Sequence, residues 1–173
     1  MNQKQNRKQN RREHLLSLGA LMGGATLIGS PSRANDAAPA LPAGADSSQL
    51  IYISPLKKDA SESTCQAEVW FMRDGDDLYV VTQSDAWRAR AVGRGLDVAK
   101  VWVGDVGVWS RNPEYRELPF VLTRASLVDD PALHTSMLEK FGTKYTDEWP
   151  VWGPRWAKGL ADGSRVMIRY RLA

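Results

Sequence analysis

In this 173-residue chain, the residues best suited to chemistry gather between Leu78 and Asp105. Leu78, Tyr79, Val80 and Val81 form a β-branched and aromatic run that predicts a strand. Thr82, Gln83, Ser84 and Asp85 are polar and suit a strand exit followed by a helix N-cap. A short helix is expected from Ser84 or Asp85, carrying Trp87, Arg88, Arg90 and Val92 to a stop at Gly93 and Gly95, with a further strand over Val98 to Val103. The start of a helix offers unpaired N–H groups and the positive end of its dipole. With two hydroxyl residues and two arginines beside it, Thr82, Gln83, Ser84, Arg88 and Arg90 describe a seat for a phosphate. The other reading of Arg88, Arg90 and Arg94 is a solvated helix face.

A second group lies on the preceding strand, expected over Thr64 to Met72. By period two, Gln66, Glu68 and Trp70 share one face, and Cys65, Ala67, Val69 and Phe71 share the other. The second set reads as core; the first either meets solvent or lines a pocket. Cys65 is the single cysteine, so an intramolecular disulfide and a multi-thiolate metal site are excluded, and it reads as a buried free thiol. Beyond residue 34, His134 is the one histidine. This argues against a multi-histidine metal centre and a Ser-His-Asp hydrolase, and leaves either a satisfied surface histidine or a lone haem ligand. No residue declares itself catalytic, and no metal site is expected.

The elements that position these groups are mostly strands. Leu50 to Ser54 begins the fold, Arg73 to Asp77 is a turn with an Asp-Gly hairpin signal, and Phe120 to Val128 and Ser164 to Leu172 are later strands. The last alternates Arg165, Arg169 and Arg171 against Val166, Ile168, Tyr170 and Leu172. Asp130-Pro131 opens a helix through Leu133, Met137, Leu138 and Phe141, ended by Gly142. From Tyr145 to Trp156, four large aromatics surround Pro150 and Pro154, and the prolines argue against one regular helix. Those rings either seal an open barrel end or form a stacking wall for a planar ligand, with Arg155 and Lys158 near enough to meet an anionic group. Closely spaced strands predict a mainly β (α+β) fold, an antiparallel barrel of six to eight strands with a few short helices.

A strand ending in Thr82, small and polar residues after it, and the basic-x-basic pair Arg88 and Arg90 on a short helix together resemble the FMN-binding split-barrel superfamily, the pyridoxamine 5′-phosphate oxidase-like and deazaflavin-dependent reductase-like proteins. The likeness covers roughly Gln49 to Asp105. It implies that Thr82, Ser84, Arg88 and Arg90, with Gln83, hold a cofactor phosphate, and that Gln66, Glu68 and Trp70 face the flavin ring. It also implies FMN, or F420 in its place, with haem a further alternative. It further implies hydride transfer to or from a small molecule, and a homodimer with cofactor sites at its interface. The sequence departs from the family after the helix, where Gly93-Arg94-Gly95-Leu96-Asp97 replaces the usual Asn-Pro or Asp-Pro. A non-catalytic barrel that carries haem, flavin or another small ligand is the alternative.

The first 34 residues read as an export signal. Lys4, Arg7, Lys8, Arg11 and Arg12 make a charged start, Leu15 to Ile28 a mild apolar stretch, and Ser32-Arg33-Ala34 a small-x-small cleavage site. The pair Arg11-Arg12 before Glu13-His14-Leu15-Leu16 resembles a twin-arginine signal, so the protein is expected to meet that export machinery already folded and to reach the periplasm or the medium. Cleavage is expected after Ala34 or after Ala40, with Asn35 to Ser48 a flexible leader and residues 49–173 the folded domain. The apolar stretch is too short and glycine-rich to stay in a membrane. Residues 1–34 hold six of the 23 Lys and Arg but one of the 20 Asp and Glu, so the remainder carries a net charge of −2 and a nucleic-acid-binding body is not expected.

Overall fold

The computed structural model describes residues 40–173. The arginine pair, the apolar stretch and the cleavage position after Ala34 lie outside the described residues.

Seven strands form: β1 (Leu50–Pro55), β2 (Ala67–Trp70), β3 (Met72–Asp74), β4 (Asp77–Gln83), β5 (Val98–Val103), β6 (Phe120–Val128) and β7 (Arg165–Leu172). Three helices accompany them: α1 (Trp87–Gly93), α2 (Pro131–Lys144) and α3 (Trp149–Asp162). The strands pair antiparallel in the order β2-β1-β5-β6-β7-β4-β3. Since β2 and β3 are adjacent in the chain yet stand at opposite ends of that order, the sheet curls until its two ends meet at Phe71. This is a nearly closed, split β-barrel with one seam.

Period-two alternation sorts the side chains into an inside and an outside. Leu78 and Val80 point in with Ile51, Ile53, Phe71, Val101, Ile168 and Tyr170. Tyr79 and Val81, with Met167 of β7, point out, and α2 and α3 cover them with Met137, Phe141, Tyr145 and Trp156. A third, smaller cluster stacks Tyr52 on Tyr115, with Trp102 edge-on.

Several local expectations are corrected. The strand expected over Thr64 to Met72 is two short strands broken at Phe71. Cys65 is exposed, not buried, because pairing starts only at Ala67 and Cys65 lies in the loop before it. The α2 helix opens as expected, with the Asp130 carboxylate accepting from the Ala132 and Leu133 amides. It runs past Gly142 to Lys144. Gly142 serves packing instead, since a Cβ there would stand 2.6 Å from Trp149 Nε1. The proline-rich segment does form one helix, α3. Pro150 occupies its first turn, where an N–H has no helical partner to lose, and only Pro154 removes an internal bond. Its tryptophans pack outside the barrel wall and do not plug an end. In the stretch read as leader, Ala45 is buried, and Asp46 pairs with Arg73 at 2.6 Å. No helix among the described residues is long and apolar enough to cross a membrane.

The break at Phe71 creates a polar problem, because its backbone can join neither the β1–β2 nor the β3–β4 ladder. Tyr145, at the end of α2, answers it. Its hydroxyl accepts from the Phe71 N–H at 2.9 Å and lies 2.9 Å from the Phe71 carbonyl and 2.8 Å from that of Gln49, to one of which it donates. Lys144 Nζ donates to the same Phe71 carbonyl at 3.2 Å and sits 3.7 Å from the Phe71 ring centroid.

Tyr145→Phe leaves the ring packing but strands a buried N–H, so unfolding stability should fall by about 1–3 kcal/mol, read from the urea midpoint. The pH profile follows from the same region. Burial pushes Lys144 from its ordinary 10.5 down to about 8. Between those values the unfolded chain binds the extra proton, so this group makes stability rise with pH. Burial is also the first cause that raises Tyr52, Tyr79, Tyr115, Tyr145 and Tyr170 above their ordinary 10.0. Their contribution is complete below pH 10 and is lost as pH climbs past it. Stability should therefore rise from about pH 8 and fall above 10, and Lys144→Met should remove the rising limb in pH-resolved denaturant titrations.

Candidate functional site

The strand exit that the sequence singles out is built around Ser164. Both the N–H and the hydroxyl of Ser84 donate to the Ser164 carbonyl, at 3.0 and 3.2 Å, which ties the end of β4 to the start of β7. The Ala86 N–H then closes a turn on the Gln83 carbonyl at 3.1 Å. With the Ser84 hydroxyl engaged this way, it does not cap the helix. The α1 helix starts at Trp87, later than expected, behind Ala86 and without a side-chain cap.

The five residues grouped there by sequence differ in exposure. Thr82 is 4% exposed and points into the barrel with Leu78 and Val80. Gln83 and Ser84 line a polar cleft at the strand exit. Arg90 is exposed on α1. Arg88 is the exception: its side chain lies largely within the protein, and its Nε has no hydrogen-bond acceptor. Among the described residues it forms no ion pair. Next to it in sequence, the indole Nε1 of Trp87 is also buried and without an acceptor. Burial lowers the Arg88 pKa, opposed by Tyr170 and Glu68. Tyr170 is raised by its own burial and so keeps its proton. An arginine remains charged under such conditions. The result is a half-buried cation whose Nε lacks an acceptor.

Gln66, Glu68 and Trp70 each meet a different partner. Gln66 Nε2 donates to the Ser63 carbonyl at 3.1 Å, and Glu68 Oε2 accepts from the Trp109 amide at 3.3 Å. Trp70 turns outward, stacks on Tyr145 at 4.5 Å, and lines an aromatic cleft with Val69, Val81, Trp152 and Trp156. That cleft has a volume of about 230 Å³. The polar cleft of Gln83, Ser84, Asp85 and Ser164 has about 370 Å³. Arg165 lines both. Sequence reasoning placed Arg165 on a strand face and no further. Its register opposite Gln83 brings it to the site, and a lone sequence does not show which strands pair.

His134 Nε2 lies 3.0 Å from the Val128 carbonyl. That contact requires a proton on Nε2 and takes this nitrogen from any iron. No group of three or more His, Cys, Asp or Glu side chains suited to a metal occurs among the described residues.

No protein-family model matches this chain. No curated protein matches it either. Solved structures do. HutZ, the heme storage protein from Vibrio cholerae, aligns with a TM-score of 0.54 at 11% identity, over 75% of this chain and 84% of its own. A putative 5-nitroimidazole antibiotic resistance protein from Bacteroides thetaiotaomicron aligns at 0.50 and 8%, over 73% and 74%. A putative pyridoxamine 5′-phosphate oxidase from Listeria innocua aligns at 0.47 and 17%, over 72% and 83%. At these identities the likeness is one of fold.

A buried cation without a partner costs stability when nothing is bound. Arg88→Met keeps the aliphatic stem and removes the charge, so the ligand-free variant should be more stable than the native protein by about 1–3 kcal/mol in urea titrations.

Proposed function

We propose that this protein is an exported, flavin-binding, oxidoreductase-like protein, which holds FMN by its phosphate at Arg88 and passes hydride between that cofactor and a small molecule. The observation that carries the reading is the buried, unmet donor Arg88 Nε. A phosphate dianion supplies the acceptor it lacks, and a guanidinium binds two of its oxygens side by side. The surrounding residues fit an anion. Tyr170 is neutral and Arg88 is half-buried, so the attraction is screened less than at the open surface. Thr82 lies inside the wall and Arg90 outside it, which leaves Arg88 as the principal phosphate partner. When bound, the isoalloxazine supplies hydride transfer. This chain's own residues bind the phosphate, hold Tyr170 protonated and exclude water. F420 is the alternative cofactor, and a homodimer is the expected assembly. The twin-arginine signal then delivers the folded protein to the periplasm, with cleavage after Ala34 or Ala40.

A second reading, a non-catalytic carrier, draws on the same geometry. The group facing Arg88 is a tyrosine, Tyr170, held protonated by burial. It is not tuned for proton exchange with a substrate. Added nicotinamide separates the two: bound flavin that is reduced and then reoxidised by a substrate marks an enzyme, and flavin that stays oxidised marks a carrier.

Protein recovered from the periplasm should show absorption bands near about 370 and 450 nm, the flavin's own. Arg88→Ala combined with Arg90→Ala should lower FMN affinity by about ten- to a hundredfold in fluorescence titrations, the effect of losing charge-assisted hydrogen bonds. Unchanged affinity in that double variant would exclude the assignment.

A further inference from the structure

We infer that the cleft around Arg165 is a second binding site, for a planar aromatic molecule of one or two rings that bears a single anionic group, a carboxylate or a phosphate. As the seat of the hydride-transfer substrate it rests on the flavin reading; as a binding site it stands without it.

Two clefts of different chemistry meet at one side chain, Arg165. At the aromatic end, Trp70 meets Trp152 edge-on at 6.4 Å and Trp156 at a tilt at 5.9 Å. These rings pack on one another and together border the cleft. At the polar end stand the Gln83 amide, the Ser84 and Ser164 residues and Asp85. Arg165 borders both. Its guanidinium forms no ion pair among the described residues, and Asp85, at the same end, is not within 4.0 Å of it. A second cation stands near the aromatic end, where the Arg155 guanidinium carbon lies 5.3 Å from the Trp152 ring centroid.

Position and size sharpen the class of ligand. The Arg165 stem lies against Gly159 of α3, where an added Cβ would come within 2.7 Å of its Cγ and Cδ. The glycine therefore fixes how close the arginine lies to the helix. The aromatic end, at about 230 Å³, falls below the roughly 300–1,000 Å³ of sites for drug-sized ligands. It suits a small ring system and not a tricyclic flavin with its chain. Arg165 would bind the anionic substituent while the ring enters among the tryptophans.

The test uses isothermal calorimetry on the native protein with 2-naphthoate, 2-naphthyl phosphate and the neutral 2-naphthamide. At least one anion should bind about ten- to a hundredfold more tightly than the amide, and the better of the two identifies the anionic group. Arg165→Gln should abolish that preference, Trp152→Ala should weaken acid and amide alike, and Lys58→Gln, exposed in the loop after β1, should preserve it. The urea midpoint of Arg165→Gln, measured alongside, confirms that the variant is folded. FMN affinity should be the same in Arg165→Gln as in the native protein, so failure here and failure of the phosphate assignment at Arg88 are told apart. Equal binding of anion and amide, no binding of any probe, an unaltered preference in Arg165→Gln, or displacement of naphthoate by FMN would each overturn the proposal.

Discussion

The fold depends on one hydroxyl. A sheet that curls back on itself must let the chain leave one edge and restart at the other, and here it does so across the single residue Phe71 between β2 and β3. A strand that switches partners leaves its hinge peptide outside both ladders, and a buried peptide group without partners is costly. The Tyr145 hydroxyl meets both halves of that peptide and reaches back to Gln49 before β1. One side chain thereby ties together the start of the sheet, its break and the end of α2. The Lys144 ammonium on the same carbonyl and over the Phe71 ring adds a contact whose strength depends on pH.

Fixing the end of α2 also fixes what lies outside the barrel. From Tyr145 the chain turns directly into α3, and Trp149 reaches across to Phe141 with nearly parallel rings 6.3 Å apart. Glycines on both helices make room for that indole, Gly142 on α2 and Gly153 on α3. Close helix packing then brings Trp152 and Trp156 beside Trp70, next to the seam. The aromatic cleft is thus a consequence of the hinge: Trp70 precedes Phe71, and the helices that complete the cleft are held by Tyr145.

Much of the fold was legible in the sequence, because strand signals are local. Leu50 to Ser54, Leu78 to Val81, Val98 to Val103 and the alternating final strand each announce themselves through β-branched or period-two patterns. The break at Phe71 was not legible. Thr64 to Met72 reads as one continuous run, and only the partner strands reveal that it pairs in two directions. Cys65 was misjudged for the same reason, since an alternation assigned to an unpaired loop has no face to share. The α3 helix was missed because two prolines were weighed without their positions, although one falls where a helix tolerates it. At the candidate site, Arg88 was visible as a basic residue after a polar turn. That it is enclosed while Arg90 is exposed depends on how α1 lies against the barrel, and that is a tertiary fact. Arg165 carried no signal beyond its charge, because its value comes from the register of β7 against β4.

The two arginines set apart by the structure differ in what holds them in place. Arg88 is half-buried with its Nε closed off from solvent, so its charge carries a cost that a matching anion relieves; binding there couples to stability. Arg165 is half-exposed and water still reaches it, so its open partnership costs little and its selectivity depends on the rings beside it. The first arrangement suits a ligand that stays with the folded protein, because loss of that ligand restores the unpaired charge. The second suits one that exchanges, because neither state is strongly penalised. A retained phosphate-bearing cofactor and a transient aromatic anion would make these two demands of two different cations. The Ser84 to Ser164 hydrogen bonds, which join the ends of β4 and β7, tie the strands that carry the two sites to one scaffold.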